Sequence, residues 1–267
     1  MYCNVCGHTG AKDDAYCYRC GRGLTPSSAE VEEVTDSRPS LALWRGGQVA
    51  VGILVVLAAL FPVVQLSLLS AKLAGPFGDA VGLWQSSHLM GLTIVAVVWF
   101  LAIQPHRLPL SSLGFTLPAL PWRKTVILTS AVLGASMLFT ILYALLVEQL
   151  GWPFLAPPEI PSNILFPGAA VVFTYEALAF WTPFTEEIFF RGFVFAGLVP
   201  RFGVAWAMVA SALIFSAFHV TPGVIVPIFI TGILLAWLYH RTGSLWPGIG
   251  AHAGQNTLAI LFTSFGV

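Results

Sequence analysis

Beyond residue 45 the chain runs for 222 residues with only thirteen formally charged side chains. Between those charges lie apolar blocks near 48–71, 86–104, 125–149, 168–198, 203–220, 224–240 and 245–265. A helix needs about 20 such residues to cross a bilayer, and several blocks have that length. The fourth is long enough to be two pieces if it breaks at Pro183, which makes eight spans in place of seven. The chain is 57% hydrophobic and 9% charged, with a mean hydropathy of +0.83. Soluble domains carry about 25% charged residues. The expected fold is therefore all-α: a polytopic membrane bundle of about seven or eight transmembrane helices over residues 46–267. This is an integral, multi-pass protein with membrane lipid as its first partner. No internal repeat is evident.

The first 45 residues differ, with eleven of the 24 formal charges and all four cysteines. Cys3 and Cys6 form one Cys-x-x-Cys pair, Cys17 and Cys20 a second, and Gly7 and Gly21 follow them. Two such pairs wrap one tetrahedral Zn²⁺, with the glycines easing the turns around it. Residues 1–23 thus resemble a zinc ribbon with a structural Zn²⁺. Two disulfides in an exported segment are the alternative. Against it, Met1-Tyr2-Cys3-Asn4 opens without a basic n-region or an apolar h-region, and cytosolic thiols stay reduced. His8 is a spare ligand, since four thiolates fill the site. A head this small needs its metal to fold, and it suits contact with a protein partner better than chemistry.

Residues 24–45 read as a disordered linker, from Thr25-Pro26-Ser27-Ser28 and the acidic Glu30, Glu32, Glu33 and Asp36. The net charge is zero, so no nucleic-acid partner is expected. Arg38, Arg45, Arg107, Arg123, Lys124, Arg201 and Arg241 fall on one side of seven spans, and only Lys72 on the other. By the positive-inside rule this places the N-terminus in the cytoplasm.

Ionisable groups at membrane depth are costly, and Glu186-Glu187-Ile-Phe-Phe-Arg191 puts three within six positions. On a helix, adjacent residues point about 100° apart, so the two glutamates do not face each other as a pair. Glu187 and Arg191 are four apart on one face and can neutralise each other. Glu186 looks elsewhere, among Phe189, Phe190 and Phe193, and is free to act as a general base. Later blocks add Phe215-Ser-Ala-Phe-His219 and His252-Ala-Gly-Gln-Asn256. His252 and Asn256 share a helical face, and buried imidazole and amide groups without partners cost energy.

Glu-Glu-x-x-x-Arg, Phe-x-x-x-His and His-x-x-x-Asn, in that order on successive segments, resemble the CAAX protease and bacteriocin-processing family. This is the type II CAAX prenyl endopeptidase group of intramembrane glutamate proteases. The resemblance covers about residues 125–265. It implies a metal-independent endopeptidase acting on a membrane-associated peptide or protein, in some cases lipidated. Carried over by position, Glu186 activates the attacking water and His219 shares that work. His252 and Asn256 form an oxyanion hole, and Glu187 and Arg191 support the site. Phe215 reads as a wall residue. No cofactor is expected in the active site, and a prokaryotic cell membrane is the implied setting.

Other readings of the same residues exist. Glu186, His219 and His252 form a His₂Glu set for a zinc-dependent variant, although no His-Glu-x-x-His element is present. A catalytically silent scaffold or immunity-type protein recruiting partners through its zinc ribbon is a second class. A transporter with buried proton carriers is a third. Glu176 and His88 lie in or near spans but fall in no motif. One mismatch of depth stands out. His252 follows its cytoplasmic turn by only about 8 residues, whereas Glu186 and His219 lie 14 to 17 residues from theirs. At about 1.5 Å per residue, straight helices leave His252 roughly 10 Å too shallow. Either a turn dips into the membrane or a helix is broken, for example at Pro183.

Overall fold

The computed structural model of the protein describes residues 42–265, and among them the regular structure is helical, with no strand. The zinc-ribbon cysteines Cys3, Cys6, Cys17 and Cys20, and linker residues 24–41, lie outside the described residues.

The order is α1 (Gly46–Leu73), α2 (Gly78–Val98), α3 (Trp122–Leu150), α4 (171–195), α5 (Ala196–Ala217), α6 (Pro222–Thr242) and α7 (Leu245–Phe265). Five helices are long and apolar enough to cross a membrane: Gly46–Leu73, Gly75–His106, Trp122–Leu150, Gly168–Ala217 and Pro222–Thr242. This suits an integral membrane protein. The five do not reach the expected seven or eight, partly because one of them is 50 residues long. A straight helix of that length would extend about 75 Å, more than twice the hydrocarbon thickness. It is not straight. Gly203 has φ 73° and ψ 168°, non-helical values that only glycine adopts cheaply. The chain folds back there, so that the Ser211 hydroxyl donates to the Phe190 carbonyl oxygen at 2.8 Å.

Small residues set the helix spacings. A methyl group at Gly82 would lie 3.2 Å from the Ala71 Cβ where α2 crosses α1, and one at Gly232 would lie 2.9 Å from the Ala212 Cβ where α6 crosses α5. In lipid, such close approach supplies the van der Waals contact that water-driven burial supplies elsewhere. The core is aromatic: Phe189, Phe190, Phe193 and Phe195 of α4 are buried, as is Phe215 of α5. At the end of the 24–45 stretch Trp44 packs on the body: it is fully buried, stacks on Phe193 and donates its indole N–H to the Phe193 carbonyl at 2.8 Å.

The turn between α6 and α7 is buried inside the protein, which bears on the expected mismatch of depth. Thr242 and Ser244, between α6 and α7, are fully buried. The segment before α3 straps over them. Ala119 N–H donates to Thr242 O at 2.8 Å, Leu245 N–H to Gly114 O at 2.9 Å, and the Ser244 hydroxyl to Thr116 O at 2.7 Å. The turn reaches the level of Gly192, where a methyl group would lie 3.7 Å from the Leu245 Cδ1. From that start, about 10 Å of α7 brings His252 level with Glu187. The α4 helix does not break at Pro183; it continues through it with helical φ and ψ.

Candidate active site

The Glu187 carboxylate is the centre of the polar cluster. Its Oε1 accepts from Arg191 Nη1 at 2.8 Å, the i, i+4 pair expected from the spacing. The same oxygen lies 3.0 Å from His252 Nδ1, a contact 65 residues away in sequence. All three side chains are almost wholly buried. Arg191 is further held by the Gly232 carbonyl at 3.4 Å and lies over the Phe215 ring, its Cζ 4.5 Å from the centroid. Gly248 makes room: a methyl group there would lie 3.1 Å from Glu187 Oε2.

Because a carboxylate only accepts, the short contact at Nδ1 places a proton on that nitrogen of His252. The other nitrogen, Nε2, lies 3.7 Å from Glu186 Oε2, longer than a hydrogen bond. The two glutamates thus do not touch as a pair; they bracket one imidazole, one at each ring nitrogen. Glu186 is the more open of the two, with 19% of its side chain exposed against none for Glu187.

His219 stands at the end of α5, edge-on to Phe215. Its Nδ1 lies 3.0 Å from the Phe215 carbonyl oxygen, so that nitrogen carries the proton and Nε2 is left with its lone pair. The helix stops directly afterwards, at Val220 with φ 43°. A β-branched residue in the left-handed region stores about 1–3 kcal/mol of strain, and here the strain lies next to a candidate site residue.

Asn256 is fixed by an unusual piece of backbone. Residues Glu176–Trp181 form a π-helical turn, in which Thr182 N–H donates to Ala177 O, one residue further back than in an α-helix. The next donor in that register, for Leu178 O, would be the nitrogen of Pro183, which has no hydrogen. Leu178 O is therefore orphaned, and Asn256 Nδ2 donates to it at 2.8 Å. One N–H and the Oδ1 of Asn256 remain for other partners.

His219, His252, Asn256 and Phe215 line one cavity of about 260 Å³. Thr140, Pro157, Pro227, Thr231 and Gln255 complete its polar and prolyl wall. Glu186 is not among the lining residues; it meets the group through His252, and neither a hydrogen bond nor an ion pair joins it to His219. Gln255, Thr231 and Ser136 are missing from the sequence reading. Ser136 and Thr231 are indistinguishable from helix-packing hydroxyls in an apolar run, although Gln255 stands inside His252-Ala-Gly-Gln-Asn256. Among the described residues, no group of three or more His, Cys, Asp and Glu side chains is arranged to hold a metal ion.

The two residues outside every motif form their own contact. His88 Nε2 lies 3.1 Å from Glu176 Oε1, and Trp84 donates to Glu176 Oε2 at 3.1 Å. The pair ties α2 to the start of the π turn.

Residues 167–258 match the protein family described as type II CAAX prenyl endopeptidase, Rce1-like. The matched stretch holds Glu186, Glu187, Arg191, Phe215, His219, His252 and Asn256, and leaves α1 to α3 outside. No curated protein and no solved structure matches the chain.

Proposed function

We propose that the protein is an intramembrane endopeptidase of the CAAX type, hydrolysing a peptide bond of a membrane-associated substrate with a water molecule activated by Glu186 and His219. The observation that carries this reading is the imidazole of His252 held between two carboxylates beside a cavity that His219 and Asn256 also line. The family match supports the same reaction class.

The chemistry follows from proton positions. His219 presents a bare Nε2 and Glu186 a partly open carboxylate, the two kinds of base that can take a proton from water. As the water oxygen attacks the substrate carbonyl, negative charge develops on the carbonyl oxygen. Asn256 keeps one N–H for it. His252 can donate from Nε2 only as imidazolium, since Nδ1–H is committed to Glu187. With His252 neutral, Glu186, Glu187 and Arg191 leave the cluster one negative charge, which one added proton cancels. The proton that Glu186 takes from water supplies that cancelling charge and can pass on to His252 Nε2, so the cluster can hold the proton until the leaving amine takes it. Glu187 and Arg191 then act by orienting His252, and preorganised donors of this kind are each worth about 10²–10³ in rate.

The test is a comparison of membrane peptides and of a prenylated CAAX reporter peptide, using wild-type chain and the variants Glu186→Gln and His219→Ala. Both variants are expected to insert and fold with wild-type thermal stability within a few degrees, and to lose cleavage by about 10²-fold or more. Wild-type cleavage by either variant overturns the assignment.

A further inference from the structure

Hydrogen counting across the cavity wall singles out one more donor. Ser136 of α3 lies 2.8 Å from Gln255 Oε1 and 2.5 Å from Thr231 Oγ1. A serine hydroxyl has one hydrogen. The carboxamide oxygen can only accept, so Ser136 gives its hydrogen to Gln255, and Thr231 must give its own to Ser136. With the Gln255 amide oxygen toward Ser136, the chain of donation runs Thr231 to Ser136 to Gln255. Its oxygen is spent on Ser136, and its two N–H groups have no partner among the described residues. Gln255 and Thr231 both line the cavity, next to His252 and Asn256.

Such an arrangement is expensive to keep for packing alone. An amide donor facing a cavity takes its acceptor from what enters it, and three buried or half-buried polar side chains from α3, α6 and α7 are aligned here to aim one. The wall contains no lysine or arginine and no carboxylate. A neutral donor in a wall without fixed cations suits a neutral carbonyl rather than a carboxylate. Its neighbours on α7 are candidate donors to the reacting carbonyl. The acceptor within reach of Gln255 is therefore another carbonyl of the same extended peptide.

We infer that Gln255, oriented by Ser136 and Thr231, is a substrate-binding residue whose carboxamide N–H groups hold a backbone carbonyl adjacent to the scissile bond. This rests on the endopeptidase reading above. It adds a subsite that grips the peptide backbone before and throughout the reaction, so its loss affects binding of substrate and transition state alike. Such uniform binding appears in KM rather than in kcat.

The experiment uses the full chain reconstituted in phosphatidylcholine nanodiscs. The probe is a peptide ending in a prenylated CAAX sequence, with a fluorophore and a quencher on either side of the bond after the modified cysteine. Gln255→Met keeps shape and removes both donors; Ser136→Ala keeps the donors and frees their orientation. Gln255→Met is expected to raise KM about tenfold with kcat within about twofold, the fold-change that one neutral hydrogen bond carries. Ser136→Ala is expected to raise KM about threefold, and to have no further effect when Gln255 is already Met. An unchanged KM in Gln255→Met, or a fall in kcat alone, overturns the subsite while leaving the protease reading intact. A wild-type chain inert toward the reporter overturns the protease reading and the subsite with it. Thermal unfolding of each variant, measured in the same nanodiscs, separates lost binding from lost fold: a KM rise confined to variants with lowered unfolding temperature also overturns the subsite.

Discussion

Glu187 has two neighbours that want opposite things from a mutation. Arg191 needs it as a counter-ion at 2.8 Å, and His252 needs it as an anchor at 3.0 Å. Removing one partner of a buried pair leaves the other charge stranded and costs about 3–5 kcal/mol, whereas removing both costs far less. Glu187→Ala is thus expected to lower thermal stability sharply, and Glu187→Ala with Arg191→Ala to regain most of it. Cleavage of the reporter should stay lost in the double variant, because His252 still lacks its anchor. Recovery of both together would make the pair merely structural; thermal unfolding in detergent alongside the cleavage assay decides this. The pair itself is legible from its four-residue spacing. The role of Glu187 toward His252 is not, since nothing in a local pattern links a helix to a turn of helix 65 residues later.

At the scale of the element, Pro183 is the informative residue. A proline inside an apolar run suggests a break, and the sequence offers no way to tell a break from a register change. The structure takes the second course: α4 widens into a π turn over Glu176–Trp181 and carries on. Such turns are rare and concentrate at functional sites, here by freeing the Leu178 carbonyl for Asn256. Pro183→Ala restores an N–H that competes for that carbonyl. The expected result is equal or higher thermal stability with kcat lowered about tenfold, short of the roughly 10²–10³-fold effect of losing a positioned donor outright. Unaltered kcat would show that Asn256 holds its place without the orphaned carbonyl. His88 and Glu176, left aside in the sequence for want of a motif, brace the start of this same turn.

For the whole molecule, the deciding feature is the buried turn between α6 and α7. The apolar blocks disclose the helices, and the block from 245 to 265 coincides with α7. They cannot disclose how deep a helix begins, because depth is set by what straps the turn in place. Gly114 is part of that strap: its φ is 95°, and a methyl group there would lie 2.6 Å from the Tyr239 Cε2. Gly114→Ala is expected to cost about 1–3 kcal/mol in backbone strain. It should also reduce cleavage more than an equally destabilising change in α1, as His252 shifts along the membrane normal. Matched unfolding temperatures with matched activities would remove the strap from the account of the site. The same long separation between Glu187 and His252 has a consequence for biogenesis. In order of synthesis the α4–α5 hairpin reaches the bilayer first, with Glu187 and Arg191 already neutralising each other. On the proposed reading, until α7 is threaded in behind it the nascent chain holds Glu186 and His219 and neither His252 nor Asn256. A hydrolase assembled in that sequence is inert while its own ribosome, translocon and neighbouring nascent segments are within reach.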